Sequence, residues 1–410
     1  MENLLNRFLE YVRFNTRPDE NSSVSPSSLQ QMLFAEKLAD ELSRIGLTDI
    51  RLDGNGYVMA TLPANTTSPR PVIGFIAHMD TSPEAPPGET NPLIHKNYDG
   101  NDIILDPKAK VRLSPQEFPE LAGYKGKTII TSDGVTLLGA DDKAGIAEIV
   151  TAMEQLIADP SMEHGTVKIA FTPDEEIGRG ADHFDVKAFA ADYAYTVDGG
   201  AIGELEYENF NAAAATVTIT GRSVHPGTAK DTMINSITVA KDFDNLLPAS
   251  ERPEKTSGYE GFFHLYDIRG GVEETVLKYI IRDHDPAIFS ERKKRMRHVA
   301  SEIRKQYRGA VVSVTMKDQY YNMKDIIESN WHIIQAAEEA YREAGIEPDI
   351  IPVRGGTDGA RLSFMGLPCP NLFTGGHNYH GRYEYIPLES MEKAVEVIKN
   401  LCVSSRIKKK

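Results

Sequence analysis

Very little in this 410-residue chain suits it to oxidation, to a membrane or to nucleic acid. It has 2 cysteines, Cys369 and Cys402, both in apolar surroundings. That predicts buried, reduced thiols and a reducing compartment rather than a disulfide scaffold. No segment reaches the ~18 consecutive apolar residues of a transmembrane helix, and charges interrupt the opening MENLLNRFLEYVRFNT, so neither a membrane span nor a secretory leader is expected. The expected address is the cytoplasm. Positive charge is in deficit: 45 Lys and Arg against 60 Asp and Glu give a net charge of −15. Nucleic acid and anionic membranes are therefore not expected as partners, and the acidity serves solubility. The run Arg406-Ile407-Lys408-Lys409-Lys410 is too short to alter this. No G-x-S-x-G occurs and neither cysteine has a histidine beside it, which leaves little sign of a serine or thiol nucleophile. Internal repeats and low-complexity tracts are absent.

What is present is a globular composition, 40% hydrophobic and 26% charged, in a chain long enough for two domains. Leu5, Phe8, Leu9 and Val12 share one helical face, predicting a first helix that ends near Thr16. After a polar loop at 17–28, a second helix covers 29–45 and stops at Gly46. A hairpin follows, 50–52 and 57–62 about Asp53-Gly54-Asn55-Gly56, and then a buried strand at 71–77. The Pro-rich stretch 82–126 reads as irregular, and loops of that length are usually functional or insertions. From 136 to 173 the pattern is strand, helix, strand; the helix starts near Asp142 and carries Ile146, Ile149, Val150, Met153 and Leu156 at helical spacing. A further strand is expected at 193–197.

The character changes near Asn209. Between 212 and 317 the order strand, helix, strand, strand, helix, strand is that of a ferredoxin-like α+β unit. A helix at 325–344, strands at 350–352 and 370–373, and a helix at 388–402 return to the first part. The expected fold is α/β: a mixed-sheet catalytic domain of residues 1–208 and 325–410, with an inserted ferredoxin-like domain at 209–324.

Five metal-type ligands follow five apolar or glycine-rich runs: His78 in VIGFIAHMD, Asp141 in LLGADDKAG, Glu176 in VKIAFTPDEE, Asp198 in YAYTVDGG and His380 in LFTGGHNYH. In an open α/β sheet the functional crevice lies beyond the carboxyl ends of the strands. Two histidines and three carboxylates are what a pair of divalent ions needs. In H-x-D, residues i and i+2 share a strand face, so Asp80 is placed to hold the second ring nitrogen of His78. In Gly139-Ala140-Asp141-Asp142 a carboxylate could bridge two ions; Asp142 is read as a helix N-cap. In Asp174-Glu175-Glu176, repulsion and burial would lift an unligated member toward neutrality, which suits a general base. Either His377 or His380 could bind metal, the other, or Asn378, being left for substrate. Arg354, in a glycine-rich turn, could take a carboxylate as a bidentate pair. His225, in GRSVHPG, could reach an oxyanion from the second domain.

These motifs, HMD, GADDKAG, PDEE, VDGG, the HPG of the insert and the closing GGHNYHG, resemble the metallopeptidase superfamily that holds the aminoacylases, succinyl-diaminopimelate desuccinylase and the glutamate-releasing carboxypeptidases. Within it, TPDEEIGRGA, GRSVHPGTAKDTMIN, RGGTDGARLS and GGHNYHGRYEYIP are similar to the peptidase T group, the tripeptide aminopeptidases. The resemblance covers nearly the whole chain. It implies a phosphorylase/hydrolase-like catalytic domain, a lid or dimerisation role for the insert, and two Zn²⁺ per subunit. Asp141 would bridge the ions, His78 and Asp198 completing one coordination sphere and Glu176 and His380 the other. It further implies that Asp80 orients His78, that Glu175 is the general base on a zinc-activated water, and that His225 contacts the tetrahedral intermediate, often from the partner of a homodimer. The expected activity is removal of the first residue from tripeptides. An aminoacylase-like amidohydrolase and an inert metal-binding scaffold are the alternatives.

Overall fold

The structure, a computed structural model, describes residues 2–108 and 110–404; the basic run at 406–410 lies outside them. The chain divides into two compact units, Met1–Tyr207 with Ile326–Ile351 and Arg361–Lys410, and Glu208–Asp325 with Pro352–Ala360. In chain order, the strands of the two largest sheets are β1 (Thr48–Leu52), β2 (Val58–Leu62), β3 (Ile73–His78), β4 (Val167–Thr172), β5 (Tyr193–Gly199), β6 (Glu204–Glu206), β7 (Asn211–Thr220), β8 (Phe262–Gly270), β9 (Glu274–Asp283), β10 (Val311–Tyr320), β11 (Asp349–Ile350) and β12 (Asn371–Phe373).

In the first unit, 8 strands form one sheet in the order β1-β2-β4-β3-β5-β12-β6-β11. Neighbours β4, β3, β5 and β12 are parallel, so their carboxyl ends face the same way. β2 runs antiparallel to β4, and β6 to β12. β3 is buried at every residue, the state of a parallel strand covered on both faces. The helix Ala140–Ala158 packs on β3 and β5, and Ile146, Ile149, Val150, Met153 and Leu156 are buried as their spacing predicts. A Cβ on Gly145 would stand 2.0 Å from the Val197 carbonyl, so only glycine lets the first turn of this helix press on β5.

In the second unit, 4 strands follow the order β8-β9-β7-β10, every neighbour antiparallel. Helices Ser236–Asn245 and Pro286–Gln306 join them in a β-α-β-β-α-β chain order. Val217, Ile219, Leu277 and Ile281 from the sheet meet Phe243, Met296 and Ile303 from the helices in its core.

Several local expectations differ. The first helix stops at Tyr11 and continues in turns through Thr16. The run Leu137-Leu138 forms no strand, because a side chain, Glu384, takes the amides of Leu138 and Gly139. The helix expected at 325–344 is two, Lys324–Glu328 and His332–Glu343, parted where the Asn330 side chain bonds the Ile326 carbonyl at 2.9 Å. The stretch 82–126 contains Leu93–His95, which joins Ile129–Thr131 and Tyr385–Pro387 in a 3-stranded sheet, and the hairpin of Ile103–Asp106 with Val111–Leu113. Cys369 and Cys402 are buried, and neither forms a disulfide among the described residues. Among the described residues no helix is long and apolar enough to cross a membrane.

Candidate active site

The carboxyl ends of the parallel strands carry the expected donors. His78 closes β3, and Asp198 is the last residue but one of β5. Glu175 and Glu176 occupy the short 3-10 turn Glu175–Ile177 after β4. Asp141 opens the helix Ala140–Ala158, and His380 lies in the loop after β12 with a positive φ of 63°. Asp141 stands between the two histidines: its Oδ1 is 2.8 Å from His78 Nε2 and its Oδ2 is 3.2 Å from His380 Nε2. Asp198 Oδ1 lies 3.4 Å from His78 Nε2, and Glu176 Oε2 lies 3.2 Å from His380 Nε2. Two triads result, His78 with Asp141 and Asp198, and Asp141 with Glu176 and His380, the donor atoms of each lying within 4.8 Å of one another.

Side chains outside the triads hold the backbone beneath the donors. The Asp80 carboxylate accepts the N–H groups of Glu175 at 3.0 Å and Glu176 at 3.1 Å. His78 Nδ1 lies 3.1 Å from the Asp80 carbonyl and 3.4 Å from its Oδ1, so one aspartate borders both the ring and the acidic turn. Asp142 belongs to neither triad and accepts the N–H of His78 at 3.1 Å and of Gly145 at 3.2 Å, the second as an N-cap would. Asp198 donates its N–H to Asn371 Oδ1 at 3.1 Å, and Asn371 Nδ2 donates to Glu206 Oε2 at 2.6 Å. Asp174 leaves the acidic cluster altogether: it accepts from the Ser27 amide at 2.8 Å and from Gln31 Nε2 at 2.7 Å, tying down the 25–31 segment. The cap by Asp142 and the closeness of Asp80 to the His78 ring follow from the sequence; the bonds to distant backbone amides do not. Asn371, a polar residue inside a buried strand, is the one whose pattern signals a partner.

The electrostatics show what the donors lack. Burial works against the charge of His78, yet Asp198 and the hydrogen bond to Asp141 lift its pKa well above the usual imidazole value. His380, opposed by burial and raised by Asp141, reaches about 9. Burial, and after it the charge of Asp141, pushes Glu176 up; burial lifts Asp198 to about 6 against the pull of His78. The imidazoles thus hold protons more tightly than usual at nitrogens that a metal would take, and burial opposes the carboxylate charges that a metal would offset. Among the described residues Glu176 Oε1 is buried with no hydrogen-bond partner, an oxygen that a cation would satisfy. Histidine and carboxylate donors in this number fit a pair of borderline divalent ions.

The remaining candidates are placed as follows. His377 turns away from the triads: its Nε2 bonds the Tyr124 hydroxyl at 2.7 Å and its ring stacks on Tyr385. Burial brings its pKa down to about 4, which keeps it neutral. Asn378, half-buried, donates to the Tyr383 carbonyl at 3.2 Å. His225 is exposed in the second unit and accepts the Gly227 N–H on Nδ1 at 3.1 Å, so the neutral ring carries its proton on Nε2. Arg354, in the same unit, bonds the Gly258 carbonyl at 2.6 Å, the Glu260 carbonyl at 3.0 Å and Thr256 Oγ1 at 2.9 Å. Its guanidinium also lies 5.2 Å from the centre of the Phe210 ring.

Comparisons with known proteins give the family of the chain. The model of "Peptidase family M20/M25/M40" matches residues 129–404. A protein named Peptidase T from Caldanaerobacter subterraneus subsp. tengcongensis is 58% identical over 398 residues, 97% of each chain. A crystal structure of a tripeptidase from Staphylococcus aureus superposes with a TM-score of 0.78 at 24% identity, covering 98% of this chain and 97% of that one. A dinuclear metal-binding peptidase from Bacillus subtilis does so with a TM-score of 0.64 at 16% identity over 98% of both. With two donor triads at the strand ends, a family match across most of the length and high identity along nearly all of it, the chain belongs to peptidase family M20/M25/M40 and is a metallopeptidase.

Proposed function

We propose that this protein is an aminopeptidase that removes the N-terminal residue of tripeptides in the cytoplasm, in peptide catabolism, with two Zn²⁺ per subunit. The observation that carries the reading is the pair of triads sharing Asp141, with Glu175 next to a donor but outside both groups. His78 and Asp198 would hold one ion and Glu176 and His380 the other, with Asp141 between them. Such ions supply Lewis acidity, polarising the peptide carbonyl and making water acidic at neutral pH.

The chain's own residues do the rest. Asp80 orients His78 and pins the turn that carries Glu175. Glu175, as general base, takes a proton from the attacking water and returns it to the leaving amine. His225, with its proton on Nε2, donates to the oxygen that becomes negative. Asn378 and Arg354 are proposed substrate contacts, Arg354 for the C-terminal carboxylate through whatever donor capacity its loop bonds leave. In this reading 1–208 and 325–410 form the catalytic domain, and 209–324 is a lid and dimerisation domain of a homodimer. The relatives' names, Peptidase T and tripeptidase, support the substrate class.

The test is a peptide-length series on protein reconstituted with Zn²⁺, Co²⁺ or Mn²⁺. Leu-Gly-Gly should be cleaved after its first residue, and chelation should abolish this. Hydrolysis of an acetylated amino acid in preference to Leu-Gly-Gly would overturn the reading.

A further inference from the structure

We infer that Glu384 is a positioning residue that fixes Asp141 relative to His380, and so governs the Asp141–Glu176–His380 triad more than its neighbour. The inference rests on the dinuclear reading above. Glu384 is 1% exposed. Its Oε2 accepts the N–H groups of Leu138 at 2.7 Å and Gly139 at 2.8 Å, and its Oε1 accepts that of Asp141 at 3.1 Å. Three amides converge on one carboxylate because Gly139 takes a left-handed conformation, φ 83°, in the middle of the turn.

Glu384 belongs to the loop that carries His380, and its own N–H bonds the Gly381 carbonyl at 3.2 Å. A single side chain on the His380 loop therefore grips the turn that presents Asp141. The other triad has separate supports: Asp142 holds the backbone of His78, and Asn371 that of Asp198. Losing the Glu384 grip frees Asp141 and the His380 loop from each other while His78 and Asp198 stay anchored. A glutamine has the same size, but its NH₂ group would face an amide donor where the carboxylate offers an acceptor.

The experiment compares metal-free wild type with Glu384→Gln, titrating Co²⁺ against a chromogenic chelator and recording the circular dichroism of both. We expect wild type to take two ions. Glu384→Gln should fold, bind the first ion as wild type does, and bind the second about 10–100-fold more weakly, the usual loss when a ligand's support is removed. A residue needed only for stability would instead lower the melting temperature and leave both affinities intact, and that result overturns the inference. Equal weakening of both ions overturns it too. If Glu384→Gln does not fold, Glu384→Asp, which keeps the charge one methylene short, should show the same selective loss; a folded Glu384→Asp with both affinities intact counts against it. A wild type that binds only one ion removes the dinuclear reading itself, and the inference with it.

Discussion

The Tyr124 hydroxyl meets His377 Nε2 at 2.7 Å, which takes His377 out of reach of the metal-type donors gathered three residues further on at His380. The motif GGHNYH alone allows either histidine as a ligand, and the resemblance to the metallopeptidases selects His380. The structure separates them into a packed ring and a donor. His377→Ala should keep both metals and lose stability, by about 1–3 kcal/mol, since it strands a tyrosine hydroxyl and empties a stacked site. His380→Ala should melt close to the metal-free wild type and lose an ion. Metal analysis beside thermal melts checks this, and loss of metal from His377→Ala would refute it.

Glu175→Ala separates binding from chemistry. The Glu175 and Glu176 amides are held by Asp80 through the backbone, so removing the Glu175 side chain leaves the turn in place. Both ions should stay bound, and turnover should fall by about 10²–10⁴, the contribution of a general base. Near-normal turnover with full metal content would remove Glu175 from the mechanism.

Glu206 gives the fold a pH dependence. Burial, only partly offset by the Asn371 hydrogen bond, pushes its pKa from 4.5 to about 8. Between those values the folded chain keeps a proton that the unfolded chain has lost, so stability is complete below the lower value and declines as pH rises toward the upper one. The decline attributable to this group is on the order of 5 kcal/mol across the window. Glu206→Gln, which still accepts from Asn371, should flatten that slope in urea unfolding of the metal-free protein. An unchanged slope would show that Glu206 titrates normally.

The proposed homodimer can be tested through His225. His225→Ala alone should lower turnover by about 10²–10³ if the ring donates to a developing oxyanion. If His225 of the partner subunit completes each site, mixing inactive His225→Ala with inactive Glu175→Ala restores activity to about a quarter of the sites, because random pairing in a two-fold dimer recombines the intact groups. Mixtures as inactive as their parts would place His225 in its own subunit's site or outside the reaction.

Much of this was legible in the chain. The strands behind His78, Glu176 and Asp198 read correctly because parallel strands buried on both faces are nearly continuous apolar runs. The alternating strands and amphipathic helices between 211 and 320 give the ferredoxin-like order for the same kind of reason. Leu137-Leu138 misled, because their apolar character serves a turn whose amides go to Glu384 rather than to a ladder. Strands of three residues, such as Ile129–Thr131, are too short to show a period. Asp80, Asp142 and Asn371 act on backbone amides far away in sequence, and no local pattern announces such contacts.

The place of β12 in the sheet has a consequence for how the enzyme comes into being. Asn371–Phe373 lies between β5 and β6, although the chain makes it long after both. Until those residues have been made, β5 and β6 lack the strand that pairs with both. His380 leaves the ribosome later still. A newborn chain therefore has no complete donor set until β12 and the loop carrying His380 have followed the whole of the second unit's four-stranded sheet off the ribosome.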